Sequence, residues 1–251
     1  MAGLEEKDLS PLSRHGIVEE KGPACFQLSI HGGVSGEYRL AQLDDQSDLR
    51  RAQFHWRVPC CQELKARASP KDLPGTWGFG FWNDPFTASL GLKGAARRLP
   101  ALPNCAWFFY ASPPNYLALR DDHPAQGFLA AAFSSPILSS LLLAPGLLAL
   151  PLLAWRPSAR LLRKMARSLI QEDSTLIHVD ATQWHTYRLE LTDQVARFSI
   201  DGHQVGETAC VPRGPLARVI WIDNQYAAFN PDGALKSGTL ANPPATLEIQ
   251  L

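Results

Sequence analysis

The chain lacks an excess of charge. Of its 251 residues, 24 are Lys or Arg and 24 are Asp or Glu, so the formal net charge is zero. General binding to nucleic acid needs a basic surplus that displaces counterions, so this class is excluded, although a local basic patch is not. Cysteine is sparse and odd in number: Cys25, Cys60, Cys61, Cys105 and Cys210. Adjacent side chains diverge in a strand, so Cys60-Cys61 is not a zinc spacing. The irregular set reads as buried thiols in a reducing compartment rather than a disulfide framework. The sequence also has no phosphate-binding glycine loop, nucleophile elbow or internal repeat, so neither a metal nor a cofactor is expected. Its first residues, MAGLEEKDLSPLSRHG, carry early acids and no apolar core, which does not fit a secretory signal. Cytoplasmic residence is the expectation. Acids are also missing where aromatic residues are densest: from Trp77 to Tyr116 there is one, Asp84.

What is present is alternation. Hydrophobic residues make up 45%, enough to fill the core of one large β domain or two small ones. Residues 1–24 are charged and read as a surface tail. From Cys25 the period becomes two, with Phe26, Leu28 and Ile30 on one face. Strands are expected over Glu37–Leu43 and Ala52–Val58, the latter ended by Pro59. A loop rich in Lys and Arg then leads to Pro74-Gly75. Thr76–Trp82 points Trp77, Phe79 and Phe81 one way and Gly78, Gly80 and Trp82 the other. Two glycines within a strand imply a close approach to the backbone, by a flat ligand or by a packed ring. Asn83-Asp84-Pro85 turns the chain into a Gly/Ala-rich loop with Lys93, Arg97 and Arg98. Ala106–Ala111 is a further apolar strand. Later, Trp184–Leu191, Val195–Ile200, His203–Thr208, Ala217–Asp223 and a closing strand through Leu247, Ile249 and Leu251 complete an all-β pattern. Asp201-Gly202 marks a tight hairpin.

Between these runs lies Gly127–Trp155, 29 residues without a charge, 14 of them Leu, Ile, Phe or Trp. Each such side chain gains roughly 1.5–3 kcal/mol on burial, so the segment must be covered. Its length would allow a membrane span. Pro136, Pro145-Gly146 and Pro151 interrupt it, and β segments flank it on both sides, so a single crossing would split one sandwich across a bilayer. A helical hairpin is the expectation. Ser158–Ile170 reads as an amphipathic helix, with Leu162, Met165 and Leu169 on one face, Leu161 beside them, and Arg160, Arg163, Lys164 and Arg167 over the rest. Residues 127–167 would thus suit an anionic membrane surface, giving a protein peripheral on the inner membrane face. A lid or homo-oligomer contact that buries its own leucines is the alternative.

The runs WHTYRLEL, VARFSIDGHQVGET and ARVIWIDNQ, together with GTWGFGFW, resemble glycoside hydrolase family 16, the laminarinase-like enzymes. The likeness covers residues 75–116 and 180–251. It implies a concanavalin A-like jelly-roll β-sandwich, here with a helical apolar insertion. Residues 25–126 form its first part, 127–170 the insertion and 171–251 its second part. Enzymes of the family cleave β-glycosidic bonds with retention, using paired carboxyls on a Glu-x-Asp-x-x-Glu strand after the Trp-rich strand. Retention needs the two groups about 5–5.5 Å apart, which alternate residues of a strand supply. Here the corresponding strand reads AWFFYASPP, so ordinary retaining hydrolysis is expected to be absent.

The resemblance then implies a protein that binds a glycan, glycolipid or other apolar small molecule in a concave cleft, with Trp77, Trp82, Trp107 and Tyr110 as a stacking platform. Asp223 and Asn224 end an apolar strand near that face or its rim. The other function is an enzyme with different chemistry on a hydrophobic substrate, using Asp84 or Asp223 as a lone acid/base. Asp84 is equally explained as a turn residue that starts a loop.

Overall fold

A computed structural model describes residues 9–47, 49–85, 98, 101–138 and 155–251. The strands in chain order are β1 (Ser10–Arg14), β2 (Gly16–Gly22), β3 (Cys25–Ile30), β4 (Leu40–Asp44), β5 (Cys60–Ser69), β6 (Thr76–Trp82), β7 (Cys105–Ala111) and β8 (Gly127–Ser134). They continue as β9 (Gln171–Leu176), β10 (His185–Leu191), β11 (Ala196–Ile200), β12 (His203–Thr208), β13 (Ala217–Asp223), β14 (Gln225–Phe229), β15 (Leu235–Thr239) and β16 (Ala245–Gln250). One helix of 14 residues, α1 (Arg156–Leu169), precedes β9.

Two seven-stranded antiparallel sheets make a jelly-roll sandwich. The first runs β1-β4-β13-β6-β7-β8-β9 and the second β12-β11-β10-β5-β16-β3-β2. Neighbours in space are far apart in sequence: β13 sits between β4 and β6, and β16 between β3 and β5. This is the all-β architecture the resemblance implies. Between the sheets lies a core of rings. Phe108 of β7 meets Phe79 at 5.5 Å, Tyr187 at 5.1 Å and Phe198 at 5.4 Å between centroids, the last two edge-on. Edge-on contact sets the positive rim of one ring against the negative face of the next.

Four sequence expectations change. Residues 10–22 are not a tail but two antiparallel edge strands, β1 on β4 and β2 on β3. Their charge is what an exposed edge requires to avoid pairing with another chain. The Lys- and Arg-rich stretch after Pro59 is not a loop but β5, ten residues long. Its cations alternate with Leu64, Ala66 and Ala68, which face the core, so the charged side chains project from the outer face. Conversely, Ala52–Val58 forms no strand: Arg51–Gln53 is a 3-10 turn, and Trp56 makes one isolated bridge to Leu216. Finally, the insertion does not begin at 127. Gly127–Ser134 is β8, between β7 and β9, and it lacks charge because both of its faces are covered. The expected hairpin break at Pro145-Gly146 lies outside the described residues. Among the described residues, no helix is long and apolar enough to cross a membrane.

The helix is oriented against its own amphipathicity. Its inward face carries Ala159 and Arg163, both buried, while Leu161, Met165 and Leu169 are exposed. The Arg163 guanidinium donates to the carbonyls of Ala118 (2.9 Å) and Phe229 (2.6 Å) and to the Asp121 carboxylate (2.6 Å). It also lies over the Tyr116 and Phe229 rings, at 5.5 and 5.6 Å. This cation locks the helix to the loop after β7 and to β14. Arg163→Ala is expected to cost about 2–3 kcal/mol, because it leaves two buried carbonyls without a donor. Urea unfolding checks this, and a loss below about 0.5 kcal/mol would show that the helix is held by other contacts.

Candidate functional site

The first sheet has a second covered face, and the strand register defines it. Trp221 of β13 stands opposite Gly78 of β6, which stands opposite Phe109 of β7 and then Leu129 of β8. The next row toward the other end is Val219, Gly80, Trp107 and Ala131. These side chains point away from the sandwich core and form a separate apolar cluster with Trp82 and Phe54. Trp107 is the hub of the rings, 5.4 Å from Trp221, 5.6 Å from Phe109 and 6.3 Å from Trp82. The glycines now have a cause. A Cβ on Gly78 would lie 2.7 Å from the Trp221 ring, and one on Gly80 would lie 2.6 Å from the Trp107 Cα. The Trp221 ring fills the space at Gly78, and the close approach at Gly80 is by the backbone of β7.

A cavity of about 160 Å³ opens over this face, lined by Trp82, Trp107, Phe109 and Trp221 and closed along one side by Tyr38, Leu117 and Tyr226. Its carboxylate is Asp223, at the end of β13, two residues from Trp221 and therefore on the same face. Asp223 is 6% exposed. One of its oxygens accepts from the Thr76 hydroxyl (2.7 Å) and the Gln225 N–H (3.2 Å), and the other from the Tyr38 hydroxyl (3.3 Å). Thr76 accepts in turn from the Trp221 indole N–H (2.9 Å), which fixes that ring. Burial dominates these bonds and pushes the Asp223 carboxyl up to about 7. Burial and the neighbouring Asp223 likewise hold the Tyr38 phenol well above its usual range. The indole N–H groups of Trp82 and Trp107 are buried and have no hydrogen-bond partner among the described residues.

The other sequence candidates are placed elsewhere. Trp77 and Tyr110 face into the sandwich, stacked on each other at 5.7 Å with an interplanar angle of 10°, and neither lines the cavity. The stacking-platform expectation therefore fails for these two, because alternation puts them on the opposite face from Trp82 and Trp107. Asn224 is fully buried and spends its amide on the backbone: Oδ1 accepts from Arg39 N–H, and Nδ2 donates to the carbonyls of Glu37 and Leu240. It is a clamp for the β4 entry and the loop after β15, and it offers nothing to a ligand. Asp84 is 2% exposed and pairs with Arg98 at 2.5 Å, while Arg51 donates to its carbonyl. It lies outside the cavity that holds Asp223, so the two expected acids are not brought together. Trp221, Tyr38 and Thr76 escaped the sequence reading. For Trp221 the signal was available, since the spacing in ARVIWID puts it on the same side as Asp223.

Among the described residues, no carboxyl on this face stands close enough to Asp223 to work with it as a pair; Asp44 does lie near Asp84, which Arg98 neutralises. Besides Asp223, β4 carries Asp44 and β9 carries Glu172 in outward register. Glu172 is four strands from Asp223 and six residues further along, roughly 28 Å at about 4.8 Å per strand and 3.3 Å per residue. Asp44 is four residues further along the neighbouring strand, roughly 13 Å away. Both are also engaged: Asp44 accepts from the backbone of Gln46 and Ser47, and Glu172 from that of Leu119 and Arg120.

No protein-family model matches the chain, and no curated protein matches it in sequence. Solved structures are similar to it at low identity. A glycoside hydrolase family 16 endo-glucanase from Bacteroides ovatus, solved in complex with G4G3G-2F-DNP, is 10% identical, with 98% of this chain and 93% of that one covered at a TM-score of 0.48. The carbohydrate recognition domain of Emp46p in its potassium-bound form is 12% identical over 97% and 88%, at 0.47. A glycoside hydrolase family protein from Mycobacterium thermorestibile is 13% identical over 98% and 93%, also at 0.47. The jelly-roll assignment itself follows from the strand order.

Proposed function

We propose that the chain is a carbohydrate-binding jelly roll without glycosidase activity, which takes a sugar ring into the cleft over the outer face of the first sheet. The observation that carries this reading is the composition of the cavity: three indoles around one buried acid. Sugar rings present an apolar face to aromatic side chains and hydroxyl groups at their edges. Asp223, neutral below about pH 7, would donate to such an edge, and above that pH it would only accept. The isolation of Asp223, the one acid of the cleft among the described residues, supports the lack of hydrolysis there, which needs carboxyls about 5–5.5 Å apart for retention or about 6.5–9.5 Å for inversion.

Titration with β-1,3- and β-1,4-linked gluco-oligosaccharides, followed by tryptophan fluorescence and calorimetry, tests the proposal. Saturable binding is expected in the wild type, weakened at least tenfold in Trp221→Ala, with no release of reducing ends. Release of reducing ends by the wild type, abolished in Asp223→Asn, would favour the enzyme reading instead.

A second feature concerns α1. Its outward ridge of Leu161, Met165 and Leu169 lies beside Lys164 and follows Trp155, which is 66% exposed. Leucines in water next to cations and a tryptophan suit an anionic bilayer surface. Sedimentation with phosphatidylglycerol vesicles should carry the protein into the pellet, and replacing the three ridge residues with serine should return it to solution. A wild type that stays in the supernatant removes the membrane role.

A further inference from the structure

Resting on that reading, we infer that the ligand is a glycoside with an apolar aglycone: its sugar sits at the Asp223 end of the cleft and its alkyl or aryl part runs across β7 toward β9. Two cavities lie on the outer face of the first sheet, and they share Trp107, Phe109 and Leu117 as a common wall. Most of the polar groups that a ligand could meet lie in the first. Tyr38, Gln42, Thr76, Asp223 and Gln225 all line it. They come from β4 and the segment before it, from β13 and its continuation into β14, and from the adjoining end of β6.

Beyond the shared wall the lining changes to Leu129, Ala131 and Phe133 of β8 with Pro124 and Ala125. Of the two acids at its far end, Asp173 faces His123 at 3.9 Å and Glu172 is spent on the backbone. Both oxygens of Glu172 accept backbone N–H groups of Leu119 and Arg120, and the Ser174 hydroxyl donates to the Pro124 carbonyl. A second hexose there would place its hydroxyl groups against aliphatic side chains, leaving them without partners. A hydrocarbon has no such requirement. From β7 to β9 the path spans two strand spacings, roughly 10 Å, over a second cavity of about 30 Å³ with the small Ala131 side chain at its middle strand. The aromatic wall serves both parts, stacking on the ring at one end and bordering the chain at the other.

The test is a ligand series on the full-length protein below micellar concentrations: methyl, hexyl and octyl glucoside, with free octanol and gluco-oligosaccharides as references, read by tryptophan fluorescence and calorimetry. Each methylene buried should tighten binding about fourfold, the equivalent of about 0.8 kcal/mol. Octyl glucoside should therefore bind about fifteenfold more tightly than hexyl glucoside, and both more tightly than the methyl compound. Ala131→Phe, which fills the apolar slot, should remove the advantage of octyl over methyl glucoside. Oligosaccharides that bind while all three alkyl glucosides bind alike would overturn the inference and leave the carbohydrate reading standing. Octanol binding as tightly as octyl glucoside would also overturn it, because the sugar would then contribute nothing. Failure of every glycoside and oligosaccharide to bind would remove the carbohydrate reading and this inference together. The wild-type series decides the matter even if the filled variant does not fold.

Discussion

Raising the pH from 5 to 8 is expected to weaken the wild-type fold by about 2–3 kcal/mol through Asp223 alone, and Asp223→Asn is expected to remove that loss. Burial lifts this carboxyl from an ordinary value of 3.8 to about 7 in the folded chain. Between those values the folded state binds a proton that the unfolded state has released, so stability is full at acid pH and falls as the pH rises through 7. Each unit of separation is about 1.4 kcal/mol, which bounds the full effect near 4 kcal/mol. The asparagine amide fits the same site. Its oxygen can accept from Thr76 and Gln225 as the acid does, and its NH₂ can donate to the Tyr38 oxygen. Asp45, Asp84 and Glu172 are also pushed up by burial and bend the pH profile in the same direction. They remain in the variant, so the difference between the two proteins isolates Asp223. Urea unfolding at pH 5, 6, 7 and 8 provides it. Parallel profiles for the two proteins would mean that Asp223 is ionised at ordinary cost and that the cleft is wetter than its rings suggest.

Phe108→Ala is expected to cost about 3–5 kcal/mol, the range for removing a large buried aromatic side chain. Phe108 is 1% exposed and contacts rings from both sheets: Phe79 and Phe128 on its own sheet, Tyr187 and Phe198 on the other. The loss would include the edge-on contacts to Tyr187 and Phe198, which are the ones that join the layers. Four rings around the vacancy cannot all close on it, so little of the cost should be recovered by relaxation. Phe109, the next residue, points to the opposite face and belongs to the cleft cluster. Phe109→Ala should therefore alter ligand binding as well as stability. Equilibrium unfolding of both variants checks the pair. A loss in Phe108→Ala of less than about 1 kcal/mol would contradict the placement of that ring between the sheets.

The two predictions concern the two faces of one sheet, and that two-sidedness explains what was legible in the sequence. Alternation in TWGFGFW correctly separated Trp77, Phe79 and Phe81 from Gly78, Gly80 and Trp82, because the strand period is a local property of the backbone. Which set faced a ligand and which faced the core was not local. Trp77 lies within the sandwich because β10 and β11 pack over that side of β6 and β7, and their residues follow in sequence more than a hundred positions later. The strand β5 was hidden for a related reason. Its cations looked like a loop because the outer face of the second sheet is open to water, and Lys65 and Arg67 are as compatible with a solvated strand face as with a turn. Asn224 read as a ligand contact because its chemistry suits one. Only the positions of Glu37, Arg39 and Leu240 show that its amide is fully used by the backbone.

The amino-acid order by itself determined the all-β class, most of the strands, the hairpin at Asp201-Gly202 and the lack of an acid pair on β7, since each depends on neighbours within a few residues. The tertiary structure decided that Trp82, Trp107 and Trp221 share one wall, that Asp223 is dry enough to titrate near 7, and that α1 buries an arginine while exposing its leucines. The physical reason is distance along the chain. Periodicity and turn chemistry act locally, whereas desolvation and ring packing depend on strands that meet only when β13 inserts between β4 and β6.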